Sequence, residues 1–225
     1  MSGYYAEKLS AERLKRCYEI APPRVKQYLE AEIEYVLDKL KATDRILELG
    51  CGYGRVLLRL LEKAEKVVGI DTSYASLLMA REFTGNISFC SLIEMDAAEL
   101  GFRKDCFDAV VCIQNGISAF AVNQRKLVEE SVRVIRPGGI ALFSSYSEHF
   151  WKDRLEWFHL QAEQGLMGEI DEAATGKGVI ICKDGFKAST VGPDDFTALT
   201  SNLPCKTEII EVDRSSIFCE IRVEK

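Results

Sequence analysis

The segment Ile46-Leu47-Glu48-Leu49-Gly50-Cys51-Gly52-Tyr53-Gly54 decides how this chain of 225 residues folds. An apolar run (Ile46, Leu47, Leu49) halts at three glycines, each separated from the next by one residue. A second apolar run, from Val56 to Leu61, resumes at once with helical spacing. Strand, tight turn and helix in that order open an α/β unit. Lacking a Cβ, Gly50, Gly52 and Gly54 admit positive φ and let backbone come close to a ligand. The amide groups that open the helix point into the same space.

Glycine turns of this kind serve several nucleotide ligands, so their spacing has to discriminate. The dinucleotide fingerprint places glycines at the first, third and sixth positions of the turn. Here they fall at the first, third and fifth, and Arg55 takes the sixth. A long side chain there obstructs the close packing of helix, strand and pyrophosphate, which weakens the case for an NAD-dependent oxidoreductase. A short strand, Lys66 to Ile70, then ends in Asp71, 21 positions beyond Gly50. An acid at that distance stands at the tip of the second strand and can accept hydrogen bonds from ribose hydroxyls. The plainer alternative is an ordinary βαβ unit whose acid caps the next helix.

Glu48-Leu-Gly50-Cys-Gly52-Tyr-Gly54, followed by Lys66-Val-Val-Gly-Ile-Asp71, resembles the opening motifs of class I S-adenosylmethionine-dependent methyltransferases. Later segments are similar to that family in the same order. A strand within 87–95 leads to Asp96-Ala97, and a fourth strand, Phe107–Ile113, begins Phe-Asp-Ala-Val. A helix over 124–135 then runs into Arg136-Pro137-Gly138-Gly139 and a strand at Ile140–Ser145. The resemblance implies an α/β, Rossmann-like fold with a seven-stranded, mostly parallel sheet, helices on both faces and one antiparallel edge strand. It implies S-adenosyl-L-methionine as cofactor and S-adenosyl-L-homocysteine as product. By the same resemblance Gly50, Cys51 and Gly52 lie near the methionine part, Asp71 at the ribose, Asp96 and Ala97 at the adenine, and Gln114 at the amino-acid end; Glu48 supports the turn or the cofactor through hydrogen bonds, and Thr72, next to Asp71, is a further cofactor contact. The implied activity is methyl transfer. A non-catalytic S-adenosylmethionine-binding regulator would keep the same cofactor residues.

Composition fits one globular domain over 1–225, with 47% hydrophobic and 28% charged residues. A net charge of −6 argues against nucleic acid as a partner. No secretory leader is visible, and no apolar run approaches the ~20 residues that span a bilayer. A cytoplasmic monomer or homodimer without a membrane partner is expected. The eight cysteines are scattered with no Cys-x-x-Cys pair, which favours buried thiols over disulfides or a metal site.

Two regions flank the core. Residues 1–42 hold a short helix around Ser10–Tyr18, a break at Pro22-Pro23 and a long amphipathic helix. The rings of Tyr4, Tyr5 and Tyr18 either pack locally or, as the resemblance allows, belong to a lid over the cofactor. Residues 147–192 follow the fifth strand with a helix carrying His149, Trp151, Trp157 and His159, then a hairpin turning at Asp184-Gly185. In the family such an insertion covers the substrate. Closing strands are expected at Lys206–Val212 and Ser216–Val223.

Gln114-Asn115-Gly116-Ile117 lacks the Asn- or Asp-Pro-Pro-aromatic motif of base-methylating relatives, and no cluster of metal-binding acids follows Ile113. A small-molecule methyl acceptor is therefore expected. The candidate catalytic residues are Asn115 at the end of the fourth strand, Tyr146 at the end of the fifth, and His149 just beyond it. A histidine at the place of His149 suits a general base, with Glu148 and Tyr146 as equal alternatives; otherwise His149 is an exposed or packed helix histidine.

Overall fold

Five parallel strands form one side of the sheet, and the most central of them, Phe107–Cys112, is buried along its whole length as a strand covered on both faces must be. The computed structural model describes residues 4, 8–85, 87 and 89–224, so Tyr5 lies outside the described residues. The chain begins with α1 (Ala11–Glu19) and α2 (Pro23–Lys39). It continues through β1 (Arg45–Leu49), α3 (Arg55–Leu61), β2 (Lys66–Asp71), α4 (Tyr74–Phe83), β3 (Cys90–Glu94) and β4 (Phe107–Cys112). Next come α5 (Gly116–Ala119), α6 (Gln124–Val134), β5 (Ile135–Tyr146), a 3₁₀ turn (Glu148–Phe150) and α7 (Trp151–Glu163). A two-stranded hairpin of β6 (Ile180–Ile181) and β7 (Lys187–Ala188), then α8 (Pro193–Thr200), β8 (Cys205–Val212) and β9 (Ser216–Val223), complete it.

The seven-stranded sheet runs β3-β2-β1-β4-β5-β9-β8, and only β9 opposes the common direction. The expected antiparallel strand is thus present, one place in from the margin, with β8 outside it. Alternate side chains of each strand feed opposite faces. Ile46, Ala109 and Val111 pack with Ile33, Val36, Leu57 and Leu60 of α2 and α3. Leu47, Leu49, Val110 and Cys112 pack with Leu127 and Val128 of α6 and Phe196 of α8.

Local sequence explains the element ends. Pro23 opens α2, where its missing amide hydrogen costs nothing. Ser73 accepts from the Ser76 amide at 3.2 Å and caps α4. Arg136-Pro137-Gly138-Gly139 departs from the expectation of a turn ahead of a separate strand. Ile135 already pairs with Phe107, the next four residues loop out, and pairing resumes at Ile140 with Ala109. Gly138, at φ +86°, makes that excursion possible.

A third apolar cluster sits beyond the carboxyl ends of the strands. It joins Leu9 and Cys17 from the N-terminal segment to Tyr28, Tyr146, Phe150, Trp157, Phe158 and Phe186. Trp157 Nε1 donates to the carbonyl of Cys17 at 2.9 Å, tying α7 to α1. Tyr4 stacks edge-on against Phe186 and donates to Asp184. Among the described residues no helix is long and apolar enough to cross a membrane. All eight cysteines are free; Cys17, Cys51, Cys112, Cys182 and Cys219 are buried, whereas Cys90, Cys106 and Cys205 are partly exposed.

Gly69 in β2 is where the first turn presses hardest on the sheet. A Cβ there would stand 2.9 Å from Cys51 Sγ and 3.1 Å from Leu57 Cδ1. Gly69→Ala is expected to cost about 1–3 kcal/mol in urea unfolding. Cys51→Ala in the same chain should return part of that loss. A strictly additive double variant would show that Cys51 is not the obstacle.

Candidate functional site

The parallel strands bring the ends of β1, β2, β3 and β4 to one edge, and the connections there carry unusual backbone. Gly50, Gly52 and Gly54 adopt φ of +70°, +53° and +91°. Cys51 N donates to Ile70 O at 2.9 Å, and Gly52 N donates to Asp71 Oδ2 at 2.9 Å. The other Asp71 oxygen accepts from Ser73 N at 2.8 Å. At Gly50 a side chain would collide with the ring of Phe120. At the end of β4, Gln114 and Asn115 both take left-handed conformations, at φ +57° and +61°. Gln114 N donates to Glu32 Oε2 of α2 at 2.7 Å, with Ser144 Oγ at 2.8 Å.

A cavity of about 1500 Å³, including its open mouth, occupies this edge. Its walls contain Glu48, Gly50, Cys51, Gly52, Asp71, Thr72, Asp96, Ala97, Gln114 and Tyr146. All nine sequence-selected cofactor residues and one of the three catalytic candidates therefore meet in one place. Leu9, Leu14, Cys17 and Tyr18 cover it from the N-terminal side, and Trp157, Phe158 and Gln161 cover it from α7. Tyr18 and Trp157 stand in the two segments expected from the resemblance to act as covers; Leu9, Leu14, Cys17, Phe158 and Gln161 are not marked by sequence, because only tertiary packing brings α1 and α7 over the edge. Periodicity alone marks Leu14 and Gln161 as ordinary helix positions.

The two other catalytic candidates are not brought to the cavity. Asn115 is buried and serves as a tie: Nδ2 donates to Ser189 O at 3.0 Å, and Oδ1 accepts from Ser145 Oγ at 2.7 Å. Its left-handed backbone turns the side chain toward the 147–192 segment, away from the open space. His149 is exposed, and its Nδ1 lies 2.7 Å from Glu211 Oε1 of β8. Ser147 directs it there: its hydroxyl accepts from the His149 amide and donates to the same Glu211 carboxylate.

The cavity floor holds charge at a high desolvation cost. Burial raises the Glu48 carboxyl from 4.5 to about 8 against the pull of Arg55, and Asp71 adds to the rise. Burial likewise raises Glu32 to about 7, opposed by hydrogen bonds. Asp71 is raised by burial and held back by the amides of Ser73, Gly52 and Thr72. Burial lifts the Tyr146 phenol, so it keeps its proton at neutral pH. Glu48 Oε2, Arg55 Nε and Nη2, and Gln114 Nε2 are buried without a hydrogen-bond partner among the described residues. Orphaned polar groups of both signs around a glycine cradle fit a polar, charged ligand such as the cofactor implied by the resemblance.

A carboxyl that is neutral when folded and ionises near 4.5 when unfolded stabilises the protein below pH 4.5. That contribution is lost as pH rises through the folded value. The ligand-free protein should therefore lose stability between about pH 5 and 8, by about 1.4 kcal/mol per unit for each such acid. Thermal melts of Glu48→Gln should decline less steeply toward pH 8. A variant profile parallel to that of the wild type would show that Glu48 is not the group responsible.

Comparison with known proteins agrees with this geometry. Residues 46–139 match a family model described as a methyltransferase domain. A demethylmenaquinone methyltransferase of Thermus thermophilus is 40% identical over 105 residues, covering 44% of this chain and 46% of the relative. The chain spans about half the length, or less, of the curated relatives it matches. Among solved structures, the PH0226 protein of Pyrococcus horikoshii aligns with a TM-score of 0.70 at 19% identity, over 96% of this chain and all of its own. The N-methyltransferase NodS of Bradyrhizobium japonicum, in complex with S-adenosyl-L-homocysteine, aligns with a TM-score of 0.65 at 15% identity, covering 97% and 95% of the two chains. Residues 46–139 thus carry the likeness to the methyltransferase-domain model, and the chain shares its overall fold with these solved structures.

Proposed function

We propose that this protein transfers a methyl group from S-adenosylmethionine to a small-molecule acceptor enclosed beside it. One observation carries the proposal: every residue selected from sequence as a cofactor contact lines a single cavity that two aromatic-bearing helices cover. When bound, the cofactor supplies an electrophilic methyl group on a sulfonium. The protein's task is then to bind, orient and keep water away. The turn at Gly50–Gly52 lets backbone reach the methionine part, Asp71 and Thr72 take the ribose, and Asp96 with Ala97 takes the adenine. Gln114 closes the amino-acid end.

The acceptor end is built differently. Tyr18, Trp157 and Phe158 offer apolar walls, while Tyr146 and Gln161 offer neutral hydrogen-bonding groups. Since Tyr146 stays protonated at neutral pH, its role is to donate a hydrogen bond that orients the acceptor. His149 lies on the outer surface beside Glu211, so no base role is assigned to it. Residues 1–42 and 147–192 act as the two covers of a single domain. An enclosed site of this kind, in a chain of net charge −6, suits a small acceptor better than a polyanion.

A hydrogen bond to a charged group contributes ~1.5–3 kcal/mol. Asp71→Ala is therefore expected to weaken S-adenosylmethionine binding by about one to two orders of magnitude in calorimetry. Unchanged affinity would remove Asp71 from the site. Transfer itself is tested by following labelled methyl into a panel of small amines, carboxylates, phenols and thiols, with RNA and protein extracts alongside. Tight cofactor binding without transfer to any acceptor would favour a regulator, and labelling of RNA or protein alone would refute the small-molecule assignment.

A further inference from the structure

Arg55 breaks the dinucleotide fingerprint, and the cofactor contacts selected from sequence do not include it. Its position is nevertheless defined on every side. It is the first residue of α3, directly after the left-handed Gly54. Its side chain is largely buried and lines the cavity. The guanidinium carbon lies 4.6 Å from the centre of the Tyr18 ring, so α1 forms a roof over its flat face. One edge of the group, through Nη1, reaches Glu30 Oε1 at 3.9 Å. Nε and Nη2 are buried with no hydrogen-bond partner among the described residues.

The neighbouring acid on the floor is Glu48, whose Oε2 is likewise buried without a partner among the described residues. Arg55 is near enough to pull the Glu48 carboxyl down against its burial. Among the described residues no ion pair within 4.0 Å joins the two. A buried guanidinium whose donors face no acceptor is costly unless a ligand supplies one. A planar fork with two free N–H donors on one side matches a carboxylate in two-point contact.

Resting on the reading above that the cavity takes S-adenosylmethionine, we propose that Arg55 binds the carboxylate of the cofactor's amino-acid end through Nε and Nη2. Tyr18 is the positioning residue that keeps the guanidinium flat. Arg55 thereby senses the charged tail of the ligand, while Asp71 and Asp96 sense its nucleoside. The N-terminal helix is coupled to that tail through Tyr18.

The test compares two ligands that share the nucleoside and differ in the tail. S-adenosylhomocysteine carries the amino-acid end, and 5′-methylthioadenosine lacks it. Calorimetry on the full-length protein should show Arg55→Met weakening S-adenosylhomocysteine about 10- to 100-fold, with methylthioadenosine changed less than about twofold. Arg55→Lys, which keeps the charge and loses the fork, should fall between wild type and Arg55→Met. Tyr18→Leu should weaken S-adenosylhomocysteine more than methylthioadenosine. Equal losses for both ligands would mean that Arg55 only supports the fold, and no loss for either would mean that the carboxylate binds elsewhere; both results overturn the proposal. If Arg55→Met melts prematurely, the Lys variant decides by the same ratio of affinities. Wild-type protein that binds neither ligand removes the cofactor reading, and the Arg55 assignment with it.

Discussion

The hydrogen bond from the Gly52 amide to the Asp71 carboxylate fixes the end of one strand against the end of the next. Three conditions have to hold for it to form. The backbone at 50–54 must turn through left-handed φ, β1 and β2 must run parallel in register, and Asp71 must stay ionised enough to accept. Glycine meets the first, and the pairing of Leu49 with Ile70 meets the second. The amides of Ser73, Gly52 and Thr72 serve the third by opposing the upward shift that burial imposes on the acid. The floor of the cavity, the entry of α3 and the cap of α4 all follow from this corner.

What sits above the corner is held differently. The covers share no strand with the sheet and are fixed by side chains: the Trp157 bond to Cys17, the Tyr18 ring between Tyr53 and Trp157, and Arg154 donating to Gly178 and Ala188 carbonyls beneath Tyr146. A buried guanidinium satisfied by carbonyls and stacked on aromatic rings is a costly way to hold a loop, and it gives the segment one defined path. The floor is thus a product of backbone geometry, and the roof a product of packing.

That division explains what could be read from sequence. The first strand, the glycine turn and the acid of the second strand are legible because each depends on residues close together in the first βαβ unit. The nine floor residues come to one edge for the same reason. His149 faces away from the cavity because its direction is set by Ser147 and by Glu211, 62 positions away in sequence, a pairing that no local pattern announces. Asn115 is tied to Ser145 and Ser189 at the second of two consecutive left-handed non-glycine residues, a backbone that gives no sign in the sequence. Arg136–Gly139 read as a turn because its composition is that of a turn. Only the pairing of Ile135 with Phe107 shows that the strand has already begun.

The position of β9 has a consequence for the making of the protein. β5 is buried from Ile140 to Tyr146 and pairs along that length with β9, which lies between it and β8. Roughly 70 residues separate the two partners, and synthesis at about 5–20 residues per second leaves the apolar margin of β5 without its neighbour for several seconds. β8 emerges earlier and cannot serve, since its place is on the far side of β9. Until then the nascent chain presents an open, hydrophobic strand edge, the kind of surface on which aggregation begins and to which chaperones bind.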